Sequence, residues 1–321
     1  MAEPQRKAAF VPSGSGAPLA WFGETLRYLV VGEQTEGRLA LSARTIPVGG
    51  GTGPQVLHRT HVGYFVVAGE LTVSVGNRNL ILPAGGYLGV APGTVQKLVN
   101  AGHEPAEIYT FIGPAGLDEF HFRSGVPLAS GDAPVPAVSD DDRETLASLA
   151  PGYGIDLHPP DVATRAEPNL RLTLPGEGRT LAVVGDLYRF LAVSEDTGGR
   201  YALFHATVPP GNGPPWHTHS REDEFFIVLK GRVSFQVDGT VVAGEPGGFV
   251  HLPSGVRHRF ENESAGVAEM LILTAPAGLE KLFDAVGRRW HDPSVPPGPP
   301  ERADIERLIE ESQKYGVELF F

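Results

Sequence analysis

The chain is one unit written twice. Shifted by 162 residues it aligns with itself without a gap, so that positions 1–159 fall on 163–321. Glycine then meets glycine about a dozen times, as at Gly14/Gly176, Gly69/Gly231, Gly85/Gly247 and Gly93/Gly255, where chance gives about three. Short phrases agree as well: GPAGLDEF at 113–120 lies over APAGLEKL at 275–282, and YGIDL at 153–157 over YGVEL at 315–319. Each copy is long enough to bury its own core, so two similar domains are expected, 1–160 and 161–321, with the boundary near 158–165.

The fold class follows from what each copy contains. YFVVAGELTVSV from Tyr64 and FFIVLKGRVSFQV from Phe225 are rich in β-branched and aromatic residues and are cut by glycine. Gly 41 and Pro 29 fit many short strands joined by turns. A helical period enters only near the end of each copy, as at Leu279, Leu282, Phe283 and Val286, then at Ile305, Leu308, Ile309 and Tyr315. The second of these helices starts after Pro299-Pro300 and stops at Gly316. The expectation is all-β, with short helices closing each half.

Charge and cysteine content narrow the function. A formal net charge of −12 repels a phosphate backbone and an anionic membrane face, which argues against nucleic acid and membrane as partners. No window has membrane-spanning length and the N-terminus has no signal-peptide core, so a cytoplasmic location is expected. With no cysteine, any metal must be held by His, Asp or Glu.

Such a constellation is present in the second copy. Residues 211–231, GNGPPWHTHSREDEFFIVLKG, place His217, His219 and Glu224 in the pattern G-x5-HxH-x4-E-x6-G. Residues 247–262, GGFVHLPSGVRHRFEN, give G-x5-PxG-x2-H-x3-N with His258 and Asn262. Histidines two apart on a strand share a face, so three imidazoles and one carboxylate can converge on one divalent cation. Nitrogen and oxygen donors without sulfur suit Fe, Mn, Co, Ni, Cu or Zn and leave positions open on a six-coordinate ion. Alternation from Glu224 puts Phe226 on the same face; Phe226, Phe235 and Phe260 are candidates for an apolar substrate wall, with plain core as the alternative. His251 is a candidate outer partner of a ligand or a packed strand histidine; His205 falls outside the motif spacing.

These two blocks match both motifs of the cupin superfamily, small β-barrels of jelly-roll type, and the duplicated chain resembles a bicupin over nearly all its length. With AGLEKLF after the second barrel and a helical tail, its layout is most similar to the bicupin quercetin 2,3-dioxygenases. That resemblance implies oxidative ring cleavage: a flavonol binds the metal through its 3-hydroxyl, Glu224 takes the proton, dioxygen adds across the ring and carbon monoxide leaves. The expected partners are thus a small aromatic substrate and dioxygen, with a homodimer allowed.

The first copy is damaged at every ligand. His217 falls on Gln55, His219 on Leu57, Glu224 on Val62 and His258 on Gln96, while the glycines and Asn100 remain. His58 and His61 lie close by but lack a carboxylate partner, so this barrel is expected to hold no metal. Among rivals, gentisate-type dioxygenases resemble an all-histidine triad, which the intact Glu224 opposes, and oxalate decarboxylase-like bicupins usually keep ligands in both halves. A cupin oxygenase or isomerase acting on another enolisable aromatic, such as a polyketide, and a non-enzymatic pirin-like metal-binding protein stay open.

Overall fold

The structure is a computed structural model that describes residues 6–157, 169–292 and 295–321. Two compact units emerge: Gly16–Glu177, and Gly178–Phe321 joined by the N-terminal segment up to Ser15. Each is built from an eight-stranded and a five-stranded antiparallel sheet. In the second unit the sheets enclose one apolar core, in which Phe226 and Val250 of the larger sheet meet Val233, Phe235 and Phe260 of the smaller. The expected all-β class is what is found, and no helix among the described residues is long and apolar enough to cross a membrane.

The 162-residue offset survives in the hydrogen-bond registers. His217 stands opposite His258, and Gln55 opposite Gln96. Helices Leu117–Ser124 and Leu279–Val286 occupy equivalent places, as do Asp140–Leu149 and Arg302–Ser312. The repeated glycines are explained by backbone shape: Gly69 and Gly231 turn with φ of 72° and 82°, a region that side-chain-bearing residues rarely adopt. Each long apolar phrase forms two successive strands, His61–Ala68 then Glu70–Val75 and Asp223–Lys230 then Val233–Val237, the first in the larger sheet of its unit and the second in the smaller.

The domain limits differ from a simple cut. The expected boundary at 160/161 lies outside the described residues, but the units are not the two repeats. Strand Ala9–Val11 pairs with Phe249–Leu252, putting Ala9 opposite His251. Strand Leu170–Thr173 pairs with Tyr87–Val90, putting Arg171 opposite Gly89. The two pairings have the same register once 162 is added or subtracted, so each unit takes an edge strand from the start of the opposite repeat. The physical reason is that Phe249–Leu252 and Tyr87–Val90 would otherwise present unpaired backbone groups.

What positions the later site is the smaller sheet of the second unit. Strand Trp216–His219 lies between His258–Asn262 and the last strand, Val317–Phe320, with His217 opposite Leu319 and His219 opposite Val317. The helix before that strand, Arg302–Ser312, is followed by a short 3-10 turn at Gln313–Tyr315 and ends at Gly316, as the punctuation predicts. Leu279, Leu282, Phe283 and Val286 all turn into the core.

Candidate metal centre

His217, His219 and His258 come from the smaller sheet and Glu224 from the larger, so the four converge where the two sheets face each other. Their ligand atoms all lie within 4.8 Å of one another and all four residues are buried. Oε2 of Glu224 is the hub: Nε2 of His258 is 2.9 Å away, Nε2 of His219 3.3 Å and Nε2 of His217 4.0 Å. Ligands about 2.1 Å from one ion stand about 3.0 Å apart at right angles and about 4.2 Å apart when opposed, so the spacing fits a single cation. His258 lies beside His217 on the neighbouring strand rather than across the barrel, with ring centroids 4.2 Å apart.

Outer contacts fix the rings. Nδ1 of His217 donates to the Pro215 carbonyl and Nδ1 of His258 to the Val256 carbonyl, both at 2.9 Å, which leaves each Nε2 lone pair turned inward. His219 is held differently. Its Nδ1 faces the buried Glu222 carboxylate at 3.8 Å, and neither of its ring nitrogens has a hydrogen-bond partner among the described residues. Two orphaned imidazole nitrogens beside a converging carboxylate are what a cation would satisfy, so the residues present fit a divalent metal.

Without an ion, the cluster carries its own charges. Burial opposes ionisation of Glu224, but the charges of His219 and His258 and the hydrogen bond of His258 outweigh it and hold the carboxyl far below the usual range. Burial likewise opposes charge on His219, while Glu224 and Glu222 push it up to about 9. Burial and the neighbouring histidines drive His217 well down. One divalent cation in place of these protons satisfies the same carboxylate.

Because Glu222 is the carboxylate behind His219, Glu222→Gln is expected to weaken metal binding by roughly 10- to 100-fold, the range for outer partners of metal ligands. Competition against a chromophoric chelator measures it. Unchanged affinity would show that Glu222 does not support His219.

Three of the four, His217, His219 and Glu224, line a cavity of about 60 Å³. Phe260 lines it, along with apolar residues of the C-terminal helices and last strand. Phe226 and Phe235 are not among the lining residues: they pack behind Phe260, with centroids 5.7 and 6.3 Å from it, because the inward face of each strand runs from the site into the core. His251 is on the far face of the larger sheet, stacked on Phe225 at 4.5 Å and 3.3 Å from Asp223, so it touches no ligand. His205 pairs with Glu269 at 3.2 Å, away from the cluster. The cavity also holds Asp186 and Tyr188, which sequence reasoning missed. Their stretch, AVVGDLYRFLAV, reads as an ordinary apolar strand, and only an aspartate inside it gave a signal.

In the first unit a side chain fills the corresponding interior. Arg44 takes the place of Ala206 and pairs with Glu24, its Nε 3.0 Å from Oε2 and Nη2 bonded to the same oxygen. Both are buried. Tyr64 donates its hydroxyl to Gln96 at 3.0 Å, which occupies the amide standing where His258 would be. His58 is exposed and His61 buried, and neither joins a ligand group among the described residues. A fixed guanidinium thus provides the interior cation there, and it repels a second one.

Comparisons with known proteins recognise both repeats. The family profile described as "Cupin domain" matches residues 43–112 and 204–274, once in each repeat. The chain is similar to quercetin 2,3-dioxygenase of Bacillus subtilis, 24% identical over 310 residues, covering 90% of each chain. A shorter stretch of 77 residues is 38% identical to an oxidoreductase of Pestalotiopsis fici, covering 23% of this chain and 36% of that one. Oxalate decarboxylase from Bacillus subtilis superposes with a TM-score of 0.56 at 18% identity, covering 84% of this chain and 76% of that one. An 11S globulin, procruciferin from Brassica napus, does so with 0.55 at 11% identity, covering 85% and 84%. At such identities the superpositions speak for the fold alone. With both repeats matched and both built as paired antiparallel sheets, the chain belongs to the cupin superfamily as a bicupin, two cupin domains in tandem.

Proposed function

We propose that the protein is a metal-dependent cupin dioxygenase that opens the ring of a flavonol or a related enolisable aromatic. The observation that carries this reading is the buried cluster of His217, His219, His258 and Glu224 at the floor of an apolar cavity. The similarity to the Bacillus quercetin 2,3-dioxygenase over 90% of both chains supports it. A bound divalent metal supplies Lewis acidity, lowering the pKa of a hydroxyl that rests on it. The chain's own residues do the rest: the three imidazoles fix the ion's position, Glu224 accepts the hydroxyl proton, and Phe260 with the C-terminal leucines keeps water from the ring.

The cavity volume bears on the substrate. About 60 Å³ is far less than the roughly 300–1,000 Å³ of sites for drug-sized ligands. A flavonol therefore enters only as the wall formed by Leu279–Val286, Arg302–Ser312 and Val317–Phe320 moves aside. The same volume favours a second reading, a smaller enolisable aromatic such as a hydroxyquinone.

Oxygen uptake by the metal-loaded protein against quercetin, other flavonols and a panel of hydroxyquinones decides among these. Uptake with flavonols supports the first reading and uptake only with smaller rings the second. Metal bound at full occupancy with no oxygen consumed on any member would point to a non-enzymatic metal-binding protein.

A further inference from the structure

The metal cavity contains a second carboxyl group that neither motif includes. Asp186 and Tyr188, alternate residues of strand Asp186–Ala192, line it together with His217, His219 and Glu224. Asp186 is 2% exposed and Tyr188 6%. Asn212 donates its Nδ2 to Oδ1 of Asp186 at 2.6 Å, and Tyr188 gives a second hydrogen bond to the same carboxyl. Asn212 is itself held by the Val184 carbonyl at 3.2 Å. Tyr188 lines the cavity with both carboxyls, and its phenol feels the charges of Asp186 and Glu224.

The first repeat shows what this carboxyl lacks. Its counterpart there, Glu24, is tied to the Arg44 guanidinium, and Ala206 replaces that arginine in the second repeat. The guanidinium's charge favours the ionised form of the carboxyl beside it, against the burial that opposes it. A carboxyl held by an amide and a phenol beside a cavity can change state. Burial outweighs the two hydrogen bonds and pushes Asp186 up to about 7. The titratable groups facing it in the cavity are Tyr188, His217, His219 and Glu224, while the C-terminal helices and last strand contribute only apolar side chains.

We propose that Asp186 is a second acid–base group of the metal cavity, which takes up the proton released when a hydroxyl-bearing ligand seats at the metal. The proposal rests on reading this cavity as a metal-dependent ligand site. The ligand's O–H bond breaks, its electron pair stays on the ligand oxygen, and Glu224 accepts the proton. Tyr188 then accepts that proton, directly or through a water molecule, while releasing its own to Asp186. Nothing is oxidised or reduced, and Glu224 returns to its role as a ligand with the proton stored away from it.

The test uses the full-length metal-loaded parent and the variants Asp186→Asn, Asp186→Glu and Tyr188→Phe. Infrared difference spectroscopy of the parent should show one carboxylic-acid C=O band that disappears as pH rises through about 7. The band should be absent in Asp186→Asn, and its midpoint should move upward in Tyr188→Phe, which loses a hydrogen bond to the ionised form. Anaerobic binding of quercetin near pH 8 in weak buffer, where the Asp186 carboxyl starts ionised, should release clearly fewer protons from the parent than from Asp186→Asn, which gives about one per ligand, at equal metal content. Asp186→Glu should restore internal uptake. Equal proton release from parent and Asp186→Asn, or no titrating carboxyl that follows residue 186, overturns the proposal. If quercetin does not bind but the band titrates as described, the acid–base group stands and the flavonol reading falls. If Asp186→Asn fails to fold, the Tyr188→Phe midpoint decides, and an unmoved one counts against the proposal.

Discussion

His258→Ala should leave the protein nearly metal-free, with oxygen uptake lost in step. Elemental analysis of the parent is expected to give about one transition metal per chain, and of the variant less than about a tenth of that. Removing an outer partner of a ligand already costs 10- to 100-fold in affinity, and removing the ligand costs at least as much. Nothing nearby replaces it. Phe260, two residues along, is apolar, and among the described residues no other group of three or more potential ligands exists. His258 also makes the shortest contact to Glu224 and stands beside His217, so its loss releases two further ligands from their common geometry. The first barrel does not compensate, because Arg44 and Glu24 fill its interior and Gln96 is bonded to Tyr64. Two metals per chain in the parent, or full occupancy in the variant, would contradict the assignment.

The convergence of His217, His219, Glu224 and His258 was legible because a candidate metal site concentrates its demands into short motifs. Two histidines on alternate residues and a third opposite them in register need only strand geometry to meet, and the motif spacing encodes that geometry. The repeat itself was legible through its turns, since a positive φ at Gly69 or Gly231 tolerates few other residues. The edge strands were not. Ala9–Val11 pairs with residues some 240 positions away, and three residues of apolar character say nothing about where they will dock. Asp186 escaped notice for a related reason: a carboxyl matters here through the cavity it faces and the arginine it lacks, and both are properties of packing. Phe226 and Phe235 show the reverse limit. Alternation correctly set Phe226 on the face of Glu224, but depth along a strand separates site from core, and periodicity carries no depth.

Glu224→Gln is expected to retain metal yet lose on the order of 10² to 10⁴ in turnover, the range for removal of a general base. The amide oxygen can still coordinate and the side chain has nearly the same shape, so the site survives. The amide cannot accept a proton. In the parent, the buried carboxyl is held ionised by His219 and His258 despite desolvation, and a bound cation favours the same state. It is therefore anionic across the neutral range and available as acceptor whenever a hydroxyl is acidified at the metal. Measured side by side, His258→Ala should lose metal and activity together, whereas Glu224→Gln should lose activity per bound metal. Equal activity per metal in Glu224→Gln and the parent would defeat the base assignment and leave the carboxylate as a ligand only. A cupin oxygenase would survive that result, with Asp186 as the remaining buried carboxyl in the same cavity. The double variant Glu224→Gln/Asp186→Asn then becomes the informative one, since two carboxyls serving one proton should be non-additive.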